Sequence, residues 1–160
     1  MERPNNYGFI DAQNLHRSVK EEGWTINYFR FRRYLFAKYS IKKAFIFFGY
    51  VPKYEKMYDG FRRDGFDLIF KPTLMLPDGR PKGNVDGEVI LHTMIELQNF
   101  DKAVIVAGDG DYFCLVEYLV SINKLERLLI PNRKSYSHLL GNFLDHASFI
   151  NDIRRNIEMG

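Results

Sequence analysis

A chain of 160 residues, 46% hydrophobic and 16% aromatic, has the length and apolar content to bury one sizeable core, and calls for no second domain. Its lone cysteine, Cys114, excludes an internal disulfide and a cysteine-built metal site, and fits a reducing compartment. A formal net charge of +3 permits nucleic-acid binding without requiring it; no apolar stretch approaches the ~20 residues that span a bilayer and no signal peptide is visible, so a cytoplasmic protein is expected.

The apolar run Tyr7-Gly-Phe-Ile-Asp11 predicts a buried strand over 7–11, turning through Ala-Gln-Asn-Leu into a helix over about 14–22. A second helix is expected over 27–39. On it Tyr28, Phe31, Leu35 and Tyr39 form one stripe facing the core, and Arg30, Arg33 and Lys38 lie on a solvated back or a backbone-tracking surface. A strand over 43–49, a helix over 53–64 and a strand over 67–70 follow. The segment 71–84 is the longest irregular stretch, with three prolines and two glycines, and carries Arg80 and Lys82.

Val89, Ile90, Thr93, Met94 and Leu97 then share one face of a helix over 85–98. The run Ala103-Val-Ile-Val-Ala107 reads as a strand buried on both faces, followed by a helix over 112–122 with Cys114 on its apolar side. A strand over 126–130 and a helical tail from about Ser135 complete the chain. Alternation of this kind implies a parallel sheet with helices on both faces and right-handed crossovers.

Four aspartates stand out against that frame. Asp11 closes the first strand, Asp109 and Asp111 sit in the turn Gly108-Asp-Gly-Asp after the buried strand, and Asp86 belongs to the first turn of the helix behind the long loop. An α/β fold gathers such positions at the carboxyl edge of its sheet, where oxygen ligands suit a divalent cation. Any one of them is explained as a helix cap. Four together would repel and raise their own pKa values unless a cation neutralised them, which reads as a metal site.

Other chemistries lack their motifs: there is no Gly-x-Gly-x-x-Gly after the first strand, no P-loop and no Gly-x-Ser-x-Gly elbow. A phosphoaspartate phosphatase would want an aspartate where Gln13 stands.

Phe9-Ile-Asp-Ala-Gln-Asn-Leu15, Lys82-Gly-Asn-Val-Asp86 and Val104-Ile-Val-Ala-Gly-Asp-Gly-Asp-Tyr112 resemble, in order and spacing, the three signature blocks of the NYN domain family. Its LabA-like branch is the nearest match, and the resemblance runs from about Tyr7 to about Asp152. It implies a single PIN-like domain over 1–160, α/β in class, with three α/β/α layers around a central, mostly parallel sheet. Asp11, Asp86, Asp109 and Asp111 match the family's acidic site, which holds Mg²⁺ or Mn²⁺ and in active members hydrolyses RNA phosphodiesters; Asn14 matches the asparagine of the first block. Two positions depart from the pattern: His92 stands where the family often has a further aspartate, and Gly87 where it has a bulky aliphatic. A lone imidazole on a mostly apolar helix is expected to be a packed side chain, not a ligand of a hard cation.

The expected activity is therefore metal-assisted hydrolysis of RNA, single-stranded by preference, with Asn14, Arg80 and Lys82 as substrate-binding residues and Lys82 as the cation nearest the scissile group. Asp145, in a stretch loosely resembling the family's last block, is expected to be a cap or surface acid. The alternative is a catalytically silent module of the same fold that holds RNA or a protein partner, and a homo-oligomer is compatible with either.

Overall fold

The computed structural model describes residues 2–79 and 83–160. Among the described residues six strands form one sheet: β1 (Asn6–Asp11), β2 (Ile41–Gly49), β3 (Phe66–Lys71), β4 (Ala103–Val106), β5 (Leu125–Ile130) and β6 (Ala147–Phe149). Their order is β3-β2-β1-β4-β5-β6 and every pairing is parallel, so the sheet is all-parallel where a mostly parallel one was expected. The α-helices are α1 (Ala12–Glu21), α2 (Tyr28–Tyr39), α3 (Glu55–Arg63), α4 (Asp86–Ile95), α5 (Phe113–Ser121) and α6 (Arg154–Ile157).

From β1 the chain walks outward through β2 to β3, then returns to the other side of β1 for β4 and β5. Right-handed crossovers in opposite directions put their helices on opposite faces. The cores show this: Leu15, Phe31, Leu35 and Phe61 of the first three helices pack with Ile10, Ile46 and Val104 on one face. Val89 of α4 and Leu115 and Leu119 of α5 pack with Phe9, Phe47 and Ile105 on the other. Alternate residues of each strand thus serve opposite layers, the expected consequence of a two-residue period in a doubly covered sheet.

The stripe on α2 faces inward as read: Phe31, Leu35 and Tyr39 are buried, and Tyr28 packs edge-on against Phe61 with ring centroids 4.6 Å apart. Two expectations are corrected. Cys114 is exposed, because α5 turns Leu115, Val116 and Leu119 to the core and leaves position 114 outside that stripe. The tail from Ser135 is not a continuous helix. It runs as 3₁₀ structure over His138–His146, broken by non-helical backbone at Phe143, then adds β6 alongside β5 before the short helix α6.

Candidate functional site

The reversal of strand order at β1 creates a crevice between the carboxyl ends of β1 and β4, the place where open α/β sheets bind ligands. Asp11 is the last residue of β1, and Asp109 lies three residues beyond the end of β4, its neighbour. Asp86 opens α4 and Asp111 sits in the 3₁₀ turn Gly110–Tyr112. Four acids from three separate segments are brought to one edge.

Asp11 is the fixed member. Buried at 6% exposure, it caps α1, accepting the Asn14 backbone N–H at Oδ1 (3.0 Å), while the Tyr112 hydroxyl donates to Oδ2 (2.8 Å). Asn14 in turn accepts the Gly108 N–H at its side-chain oxygen (2.8 Å), tying the start of α1 to the loop after β4. Asp109 caps the following turn by accepting the Asp111 N–H (3.0 Å). The capping explanation thus holds for Asp11 and Asp109, and it leaves each carboxylate oxygen a further lone pair.

Asp86 accepts the N–H of its own neighbour, Gly87, at 3.0 Å and is half-buried; Asp111 is exposed. Of the two glycines in the turn, Gly110 is required by packing. A Cβ at Gly110 would lie 2.5 Å from Ser137 Oγ, and the Gly108 carbonyl accepts the Ser137 N–H (3.0 Å), so the segment after β5 is clamped onto the acidic turn.

The acids sense one another. Burial raises the pKa of Asp11, and the charge of Asp109 adds to it, against the Asn14 N–H, the Tyr112 hydroxyl and the charge of Arg17. Asp111 is raised by a hydrogen bond with Asp86, then by the charges of Asp109 and Asp86. Burial followed by the charges of Asp11, Asp86 and Asp109 pushes the Tyr112 phenol far above its ordinary range, so it stays protonated as a donor to Asp11.

In donor chemistry the set fits a hard cation: all oxygen, all acidic, mutually repelling. Among the described residues no three His, Cys, Asp or Glu side chains stand close enough together to grip one ion.

Arg80 and Lys82 lie outside the described residues. Lys71, which the sequence did not single out, stands at the end of β3. Its ammonium donates to the Asn84 carbonyl (2.9 Å), two residues before Asp86, and lies 3.9 Å from Glu88. His92 packs against the rings of Phe45 and Phe47, centroids 4.7 and 5.8 Å away, with Nε2 3.7 Å from Glu96. Asp145 is exposed on the 3₁₀ segment, its carbonyl accepting from Arg127 at 3.4 Å.

Tyr112 was visible only as the last letter of the third block. No local pattern announces that a residue 101 positions from Asp11 will hydrogen-bond to it.

The NYN domain model matches residues 8–150 of the chain. Among solved structures, a protein of unknown function from Vibrio parahaemolyticus RIMD 2210633 is similar with a TM-score of 0.76 and 23% identity, over 99% of this chain and 100% of that one. At that identity the likeness establishes the fold. No curated protein matches.

Proposed function

This chain belongs to the NYN domain family, within the PIN-like nucleases, and from that premise we propose that it is a metal-dependent ribonuclease of the LabA-like branch. In this reading residues 1–160 form a single NYN domain that hydrolyses RNA phosphodiester bonds at Asp11, Asp86, Asp109 and Asp111. The supporting observation is the convergence of these four acids at the β1/β4 crevice with charges that reach one another.

Mg²⁺ or Mn²⁺ bound there would supply an acidified water and neutralise charge developing on the phosphate. The chain's own contribution is positional. Asp11, fixed from two sides, sets the depth of the site, while Asp86, Asp109 and Asp111 close on it from the accessible rim. Asn14 spends its oxygen on Gly108, leaving its amide N–H groups for a phosphate oxygen. Lys71, anchored to the Asn84 carbonyl, would bring positive charge toward the scissile group, and Arg80 and Lys82 are proposed from the sequence as further substrate-binding residues.

The silent RNA-binding or protein-interaction module is the second reading, favoured by the finding that no three described acids stand ready to grip one ion. Cleavage of an end-labelled single-stranded RNA in Mn²⁺, in Mg²⁺ and in chelator, by the wild-type chain and by Asp109→Asn, decides between them. Metal-dependent cutting lost in the variant is the expected result. Equal cutting by both exposes a contaminant, and no cutting by either across several RNAs leaves the binding module.

A further inference from the structure

Beside the aspartates a groove of about 870 Å³ opens between α1, α2 and α3. Its inner wall includes Ala12 and Val85, the residues adjoining Asp11 and Asp86, so it begins where the acidic site ends. Farther out it is walled by rings and a thioether that solvent reaches: Phe29 is 50% exposed, Tyr54 43% and Met57 43%.

Phe29 joins this groove to a second feature. The Arg33 guanidinium lies over the Phe29 ring, 5.7 Å from its centroid, and Arg33 also lines a neighbouring depression of about 810 Å³ on the outside of α2. Arg3, Arg30 and Arg32 share that depression, and no acid is among its lining residues. Three of the four guanidiniums are held in place by carbonyls: Arg3 by Phe36 and Ala37, Arg30 by Glu158, Arg32 by Gly65, Ile41 and Lys42. A second exposed ring, Phe36, lies under both Arg3 and Lys42, at 4.6 and 5.3 Å. Asp67 is the acid whose charge reaches Arg32.

Four positive charges at one depression, three of them held by carbonyls, call for a polyanion. Exposed rings interleaved with them call for planar groups that stack, and continuity with the acidic site calls for a chain that can reach it. A single-stranded nucleic acid meets all three demands; an acidic peptide meets only the first. We propose that the aromatic groove and the guanidinium face of α2 form one track for single-stranded RNA, bases stacked along Phe29 and Tyr54, phosphates on Arg30 and Arg33. The proposal rests on the ribonuclease reading for its direction, since the track delivers the strand to the aspartates. Its test does not depend on turnover.

Binding of a fluorescein-labelled 12-nucleotide oligo(U) is measured by anisotropy in chelator across a salt series, where no cleavage interferes. Arg30→Gln/Arg33→Gln is expected to bind about tenfold more weakly and to lose roughly 1.4 from the slope of log K against log salt, two phosphates at ~0.7 each. Phe29→Ser is expected to weaken binding by about tenfold with the slope unchanged, the mark of a lost stack. A control of equal charge change on the other side of β1, Lys102→Gln just before β4 with Arg127→Gln on β5, should change neither.

Phe29, Arg30 and Arg33 are exposed and Lys102 and Arg127 half-buried, and unchanged melting of each variant secures the comparison. Wild-type binding that ignores the track variants, or falls equally in the control, overturns the proposal. So does poly-glutamate binding as tight as RNA with Phe29 irrelevant, which would make an acidic polypeptide the occupant. Track-dependent binding without any cleavage in metal retains the track and removes the ribonuclease reading.

Discussion

The Tyr112 hydroxyl donates to Oδ2 of Asp11 at 2.8 Å, a buried bond between the first turn after β4 and the end of β1. Both partners are closed to water, Tyr112 fully and Asp11 almost so. Tyr112→Phe removes the donor and leaves a buried carboxylate oxygen without it. The expected loss is about 1.5–3 kcal/mol, the range for a hydrogen bond to a charged group, read by urea unfolding. Because that donor is one of the groups holding the Asp11 pKa down, its removal also raises that pKa, and in the proposed ribonuclease the acidic limb of the pH profile should move to higher pH. A stability loss with an unmoved limb would reduce Tyr112 to packing.

Asp11 itself gives a pH prediction with a definite sign. Its folded pKa lies above the ordinary 3.8, chiefly because it is buried and then because Asp109 repels it. The folded chain therefore holds this proton more tightly than the unfolded one. The stability so conferred is full below the ordinary value and is lost as pH rises through the raised one. Asp11→Asn escapes that loss. Its melting midpoint should equal the wild type's in the acid range and exceed it at pH 7, while Mn²⁺ should raise the midpoint of the wild type alone. A change of 1 kcal/mol moves the midpoint of a domain this size by about 2–4 °C, within reach of a thermal scan.

Asn14 separates positioning from charge. Its oxygen is the acceptor for the Gly108 N–H, so Asn14→Ala leaves a buried donor unpaired and should cost about 1–3 kcal/mol. Asn14→Asp keeps an acceptor and adds a negative charge beside Asp11. It should unfold near the wild-type denaturant midpoint in acid and fall progressively below it as pH rises, a divergence that Asn14→Ala does not show. Unfolding curves for both variants at pH 5 and pH 8 give the comparison.

What could be read from the chain alone depended on whether the signal was local. The strands β1 and β4 are uninterrupted apolar runs, and the stripe on α2 repeats at helical spacing, so their place in the core followed from periodicity. The four aspartates stood out because Asp11, Asp109 and Asp111 follow the apolar runs of β1 and β4 and Asp86 opens the helix behind the long loop. By contrast β6 has three residues, too few to establish an alternation, and exists by pairing with β5. Cys114 was placed on the wrong side because α5 is apolar on most of its circumference, which leaves its orientation to packing. The contacts of Tyr112 with Asp11 and of Lys71 with Asn84 join separate elements, and nothing within either segment encodes them.

Gly110 tests the clamp over the acidic turn. A methyl group there would stand 2.5 Å from Ser137 Oγ and 3.2 Å from Ser137 Cβ, and that hydroxyl already accepts the Leu139 N–H at the start of the 3₁₀ segment. Gly110→Ala must therefore swing the Ser137 hydroxyl off its cap or shift the turn holding Asp109 and Asp111, at an overpacking cost of about 1–3 kcal/mol. Ser137→Gly removes both clashing atoms at the expense of the cap. In the double variant the two costs should fall short of additive by about 1 kcal/mol or more, the signature of contact in a double-mutant cycle. Strict additivity would mean that the turn and the loop relax independently, and that the aspartates are not held by the segment after β5.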